Sequence, residues 1–371
     1  MKNISKLQQH SIIFVYLLIN SIFILKYSVR YSLPPVPLII GYVVVVIAII
    51  STLVFKRDLI LKFSITIYLW FCLLVAMLFF ISLTQFDISD IRVSRYAAIQ
   101  EWLFNFLNGI FPYGSPTNPS GFPILFLAFT PFALVGELGL MQVLTYILIS
   151  LYLFKKFKNR QEVKWSVQIL LLISPIYHYE IITRSELFSN MVFVLLFVDF
   201  VSKQNVKRIN FNKLLFISIL GGLLLSTRMI LLPIYFILLI YYFRQDLKRL
   251  FILFLGIGFI FLLTLVPFFF WNPSSFIEKG PFAVQSLYLP IEVVAIFLAG
   301  AVYLGFKIKD EKSLYFSTAI ILFLFVAASF LFHLQEHTLF ELIYKDRFDV
   351  AYFIFPLVFI LMQIDNSITK N

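Results

Sequence analysis

Cysteine is nearly absent from this 371-residue chain: Cys72 stands alone, so neither an intrachain disulfide nor a cysteine-based zinc site can form. Charged residues make up 13% of the sequence and histidine occurs four times; the charge content is about half that of soluble domains. No P-loop, dinucleotide-binding glycine fingerprint or nucleophile-elbow pattern occurs, which removes the common nucleotide-binding and hydrolase readings. There is no internal repeat and no low-complexity linker. The start, MKNISKLQQHSIIFVYLLINSIFIL, has the basic-then-apolar order of a signal sequence but lacks a small-residue cleavage site, so it reads as a retained first span.

What is abundant is apolar surface. Hydrophobic residues fill 61% of positions, and runs such as 63–83, 250–271 and 313–332 reach the ~20 residues a helix needs to cross ~30 Å of hydrocarbon. They do not alternate as barrel strands would. The expected fold is an all-α polytopic bundle forming one transmembrane domain over 1–371. Cys72 falls within a span, where a thiol acts as a small apolar group. The net charge of +11 resides mainly in short loops between spans, so it reports topology rather than nucleic-acid binding.

Basic clusters around Lys56, Lys155 to Lys164, Lys203 to Lys213, Arg244 to Arg249 and Lys307 to Lys312 mark cytoplasmic loops, and both termini fall on the same side. The 84–120 loop is then external and the 155–164 loop internal, which requires an odd number of crossings between them. Leu140 to Phe154 suits that single span. The segment GFPILFLAFTPFALVGE, broken by Pro123, Pro131 and Gly136, is left as an apolar helix at or dipping into the outer surface. The total is about twelve crossings.

By this topology the external side holds five polar segments: 84–120, 175–186, the turn at 228, 271–290 and 333–349. Asp87, Asp90, Arg92 and Arg95 form an ionisable cluster flanked by apolar spans, a costly placement that marks a functional site. Either aspartate suits a general base; Asp90 or Ser89 equally suits the N-cap of an amphipathic helix over 93–107, and the arginines could make plain surface pairs with the aspartates. Only about thirty residues separate the basic loops that bracket Arg228, too few for two full crossings, so this arginine lies below the outer surface and needs an anionic partner from protein or ligand. Arg184, Lys345 and Arg347 have the chemistry to hold a phosphate, or snorkel at span ends.

HLQEH at 333–337 matches the H-x-x-E-H zinc-peptidase pattern, with Glu341 or Asp346 as a third ligand, although polar capping of a span end explains it as well. Trp271, Asn272 and Tyr288, with Tyr96, Tyr113, Tyr177 and Tyr179, read as an interfacial aromatic belt or as sugar-stacking groups.

Asp87 and Asp90 after an early span, Arg95-Tyr96, the turn from Gly109 to Tyr113, the Gly121-Phe122-Pro123 entry into a proline-interrupted helix and the 132–139 stretch resemble the GT-C class of integral-membrane glycosyltransferases. Ser174-Pro175 through Glu186, and Leu225 to Arg228, resemble outer-cavity segments of bacterial members. The resemblance implies a bacterial plasma-membrane enzyme of cell-envelope glycan synthesis that moves a sugar from a polyprenyl-phosphate donor to a glycan, lipid or protein acceptor on the extracytoplasmic side. Its external loop over 84–136 would carry juxtamembrane helices and the catalytic carboxylate. Asp90 or Asp87 would be the base, and Arg228, Arg184 and Arg95, with Lys345 and Arg347, would hold the donor phosphate. Tyr96, Tyr113, Glu186, Trp271 and Asn272 would line the cavity. Members often show a paired acidic motif; here Arg92 follows Asp90 and Ile91, so a divalent metal has no such pair to hold it. A lipid-linked glycan polymerase or ligase, and a transporter or flippase, are the alternative classes; the first usually needs larger external loops and the second inverted repeats.

Overall fold

The computed structural model describes residues 2–55, 64–86, 94–204, 206, 209–287, 289–345 and 347–368. These residues are helical with short connections, and no strand occurs among them. Helix starts follow local chemistry. Ser64 accepts from the Ile67 amide to begin Ile65–Gln85, Asn210 accepts from Lys213 to begin Phe211–Leu225, and Asp246 accepts from Arg249 to begin Leu247–Trp271, each satisfying an amide that has no partner within its helix. Prolines open Pro35–Phe55 and Pro123–Leu127, where a missing amide costs nothing. Gly136, at φ 89°, closes Thr130–Val135.

Among the described residues, five helices are long and apolar enough to cross a membrane: Leu7–Arg30, Pro35–Leu53, Ile65–Gln85, Leu247–Trp271 and Glu311–His333. The number rises to at most eight if each of three bent helix pairs is one span, and shorter apolar helices occupy Phe211–Leu225, Met229–Phe243 and Val350–Gln363. The expected dozen crossings thus correspond to fewer long helices. Prolines and polar turns divide the remaining apolar sequence into pieces too short to span alone.

The chain divides into two compact units. The first comprises Met1–Asp87, Gln142–Ile182 and Leu322–Asn371. Here Lys2–Arg30 packs on Pro35–Phe55 and on Leu357–Ile368, which also packs on Gln161–Leu172. Polar groups on Ile65–Gln85, Leu140–Lys156 and Gln161–Leu172 bond one another. The Tyr68 hydroxyl donates to the Ser150 carbonyl and to Gln168 Oε1, and Gln168 Nε2 donates to the Tyr146 hydroxyl. Lys164, assigned to a cytoplasmic loop on sequence, lies fully buried in Gln161–Leu172 with its ammonium 4.4 Å from the Tyr68 ring centroid. An aromatic face offsets part of the cost of burying that charge.

The second unit, Ile88–Met141 and Thr183–Ile321, is built on two close helix pairs, Phe211–Leu225 on Leu247–Trp271 and Leu232–Phe243 on Ile291–Lys307. Small residues allow the first approach. A Cβ on Gly222 would meet Ile260 at 2.5 Å, and one on Gly256 would meet Ser218 Oγ at 2.5 Å. Between lipid-embedded helices, where apolar burial alone does not favour contact, this close backbone approach supplies the attraction.

Candidate functional site

The second unit contains a concentrated set of guanidinium groups, and local chain geometry puts them there. Phe211–Leu225 and Leu232–Phe243 are 15 and 12 residues long, so the turn joining them is drawn inward and Arg228 is 6% exposed. The segment around Pro123 closes over this turn. The Phe122 amide donates to the Thr227 carbonyl at 3.1 Å and the Ile124 amide to the Ser226 carbonyl at 3.1 Å. Gln285 then clamps both segments, its Nε2 donating to the Ser120 carbonyl at 2.6 Å and its Oε1 accepting from the Met229 amide at 3.1 Å.

Arg228 forms a buried ion pair with Glu186 and donates from Nη1 to Ser120 Oγ at 3.2 Å. Glu186 ends the turn that precedes Leu187–Ser202. One residue earlier, Ser185 Oγ accepts from Arg95 Nη1 at 3.0 Å, and the Arg95 charge also acts on the Glu186 carboxylate. The third member of the turn, Arg184, pairs with Glu137 through two hydrogen bonds, Nε to Oε1 at 2.7 Å and Nη2 to Oε2 at 3.2 Å. Its guanidinium lies 5.9 Å from the Tyr96 ring centroid. Arg184 has φ 52°, a left-handed conformation that a side chain tolerates only when its surroundings enforce it. Arg95 and Arg228 thus reach Ser185 and Glu186, the two residues that follow Arg184.

Glu137 and Glu186 are carboxylates in contact with these arginines among the described residues. Asn190 Oδ1 accepts from Thr227 Oγ1 at 2.9 Å, while its buried Nδ2 finds no acceptor among the described residues. A donor left so costs ~1–3 kcal/mol until an acceptor arrives.

Arg95 is held by an aromatic core under its helix, Ser94–Leu107. Trp102 is fully buried, stacked on Phe126 with centroids 4.7 Å apart and edge-on to Tyr113. Tyr113 belongs to that core and donates its hydroxyl to the Gly121 carbonyl. Tyr96 borders the arginines and accepts from Gln100 Nε2 at 2.6 Å. Trp271 is partly exposed at a helix end, and Asn272 caps the next helix by accepting from Ser275.

Lys345 and Arg347 belong to the first unit, both exposed, and Lys345 pairs with Glu341 one helical turn away. Asp87, Asp90 and Arg92 lie outside the described residues, as do Tyr288 and Asp346. In the HLQEH segment, His333 Nδ1 contacts the Ser329 carbonyl and Glu341 completes a capping box with Thr338. No group of three potential metal ligands is assembled among the described residues. Sequence reasoning overlooked Glu137, Asn190 and Gln285; only Glu137, a lone acid in an apolar stretch, offered any signal.

Composition, helix length and this polar site together define an integral membrane protein of the helical class with an arginine-rich site. Comparison with protein-family models, curated proteins and solved structures finds no match to the chain.

Proposed function

We propose that this protein is a membrane glycosyltransferase that moves a sugar from a polyprenyl-phosphate donor to an acceptor hydroxyl on the extracytoplasmic side, in the manner of the GT-C class. The observation that carries the reading is the gathering of Arg95, Arg184 and Arg228 at the 184–186 turn. A phosphate entering there meets planar donors suited to it and offers an acceptor to Asn190 Nδ2. Glu186 and Glu137 keep the arginines oriented and spaced.

The reaction follows from that placement. As the acceptor O–H bond breaks, its proton passes to the carboxylate of Asp90 or Asp87, and the acceptor oxygen bonds to the anomeric carbon. The bond from that carbon to the phosphate oxygen breaks on the opposite face, and polyprenyl phosphate leaves with the electron pair. Attack opposite the leaving group inverts the anomeric centre. The arginines stabilise charge gathering on the leaving phosphate, and such pre-positioned donors are typically worth ~10²- to 10³-fold each in rate. Asp90 precedes Arg95 by five residues in the chain, which supports its assignment to the same site.

The test is to incubate the purified full-length protein in lipid nanodiscs with a panel of radiolabelled polyprenyl-phosphate sugars and membrane extract. Label is expected in an acceptor. Proteoliposomes that carry a labelled donor across the bilayer unchanged, without transfer, would instead establish a transporter.

A further inference from the structure

A cleft of about 590 Å³ opens beside the arginine cluster, within the second unit, between Ser94–Leu107 and the broken apolar helix that follows. Its volume is that of a small-molecule site. Ala97, Gln100, Glu101, Phe104 and Leu107 recur at helical spacing on one face of Ser94–Leu107 and line it, opposite Ala133 and Leu138. The lining is two-sided. Glu101, Gln100 and Thr117 form a polar end, with Thr117 Oγ1 donating to Glu101 Oε2 at 2.6 Å. Phe104 and Leu107, more than half exposed, lead from it to Leu134 and Val135, each 72% exposed. In a chain of membrane helices, such exposed apolar side chains meet lipid.

We propose that this cleft binds a membrane amphiphile with a neutral, hydroxyl-rich headgroup: the acceptor, on the reading above. The charge pattern separates the two ligands. An anionic head is repelled by the Glu101 carboxylate, whereas sugar-like hydroxyls donate to it; a carboxylate has about four lone-pair sites and Thr117 uses one. The Gln100 amide and Tyr96 phenol extend the polar end. The apolar wall takes the attached chain. Two shared groups place the cleft against the arginine cluster: Tyr96, which touches both Gln100 and Arg184, and Glu137, which lies between the lining residues Gly136 and Leu138 and pairs with Arg184.

The experiment uses the full chain in phosphatidylcholine nanodiscs and a dodecyl maltoside analogue with a diazirine in its alkyl chain. After irradiation, label is expected in peptides covering 94–107 and 130–138, suppressed by unlabelled dodecyl maltoside. Ala97→Trp and Ala133→Trp fill the cleft from opposite walls, and each should cut labelling by about tenfold through lost apolar contact. Glu101→Gln should narrow the preference over the same chain carrying a sulfate head. Label scattered along Pro35–Phe55, labelling unmoved by both tryptophans, or a stronger signal from a trimethylammonium head would overturn the proposal. Labelling does not require sugar transfer. A protein that transfers sugar without labelling here keeps its enzymatic reading and loses this site; one that labels without transferring does the reverse.

Discussion

Arg228 and Glu186 face each other with 7% and 2% of their side-chain surfaces exposed. A buried pair of this kind contributes little net stability relative to an apolar replacement, yet losing one member strands a charge at a cost of ~3–5 kcal/mol. Folding energy alone therefore gives little reason for this pair beside a second arginine.

A double-mutant cycle on this pair tests the coupling. Glu186→Gln and Arg228→Met are each expected to lower stability by ~3–5 kcal/mol, and the double variant by less than the sum. Denaturant unfolding in detergent micelles measures it. Additive losses would mean that the two groups do not depend on each other.

Transfer activity separates the base from the phosphate clamp. Asp90→Asn and Arg228→Ala should each reduce the rate by ~10²- to 10⁴-fold, with protein still monodisperse on gel filtration. An active Asp90→Asn beside an inactive Asp87→Asn would assign the base to Asp87. Full activity in both asparagine variants would remove a carboxylate base from the mechanism.

Arg184 offers a test of backbone strain. Arg184→Ala and Arg184→Gly both lose the contact with Glu137, but only glycine accepts φ 52° freely. The alanine variant should therefore be the less stable by ~1 kcal/mol. Equal melting temperatures would mean that the turn relaxes once its arginine is gone.

Helix contact in the second unit rests on Gly222. Gly222→Val should destabilise by ~1–3 kcal/mol or more, because its side chain would overlap Ile260 and the Ile257 carbonyl, an overpacked contact. Gly258→Ala in the facing helix meets nothing within 4 Å and should leave stability unchanged or raised. Thermal unfolding of the two variants side by side distinguishes packing from helix propensity.

The Thr338 cap makes the Leu339–Tyr344 helix acid-sensitive. Hydrogen bonds from the Thr338 backbone and side chain, then the Lys345 contact, hold the Glu341 carboxyl below its ordinary value of 4.5. A depressed carboxyl stabilises the folded state fully above 4.5 and progressively less as pH falls through the lowered value. Hydrogen exchange over 338–345 should accelerate in that acid range, and Thr338→Ala should weaken the pH dependence without removing it, because the backbone amide still donates to Glu341. Exchange independent of acid in the parent protein would contradict the cap.

Several features were legible because they depend on local sequence. The 65–85, 247–271 and 311–333 helices follow apolar runs read directly from the chain, and the burial of Arg228 followed from counting residues between two basic loops. Its partner did not. Glu186 lies 42 residues away and stood out as a cavity-lining residue, not as the partner of Arg228. Tyr113 looks interfacial in its own stretch, but Trp102, Phe126, Phe268 and Phe276 arrive from separate segments to enclose it. Lys164 reads as one more loop cation until Tyr68 closes over it.

Hydropathy and charge along the chain were sufficient to determine a helical membrane protein, because lipid demands that each apolar segment satisfy its own backbone hydrogen bonds regardless of its neighbours. Which charges meet was decided by tertiary structure alone. Arg184 finds Glu137 across 47 residues, and Gln285 reaches Ser120 across 165. Such contacts arise from the close approach of helices at small residues and from how far each turn is drawn inward, neither of which any single stretch of sequence encodes.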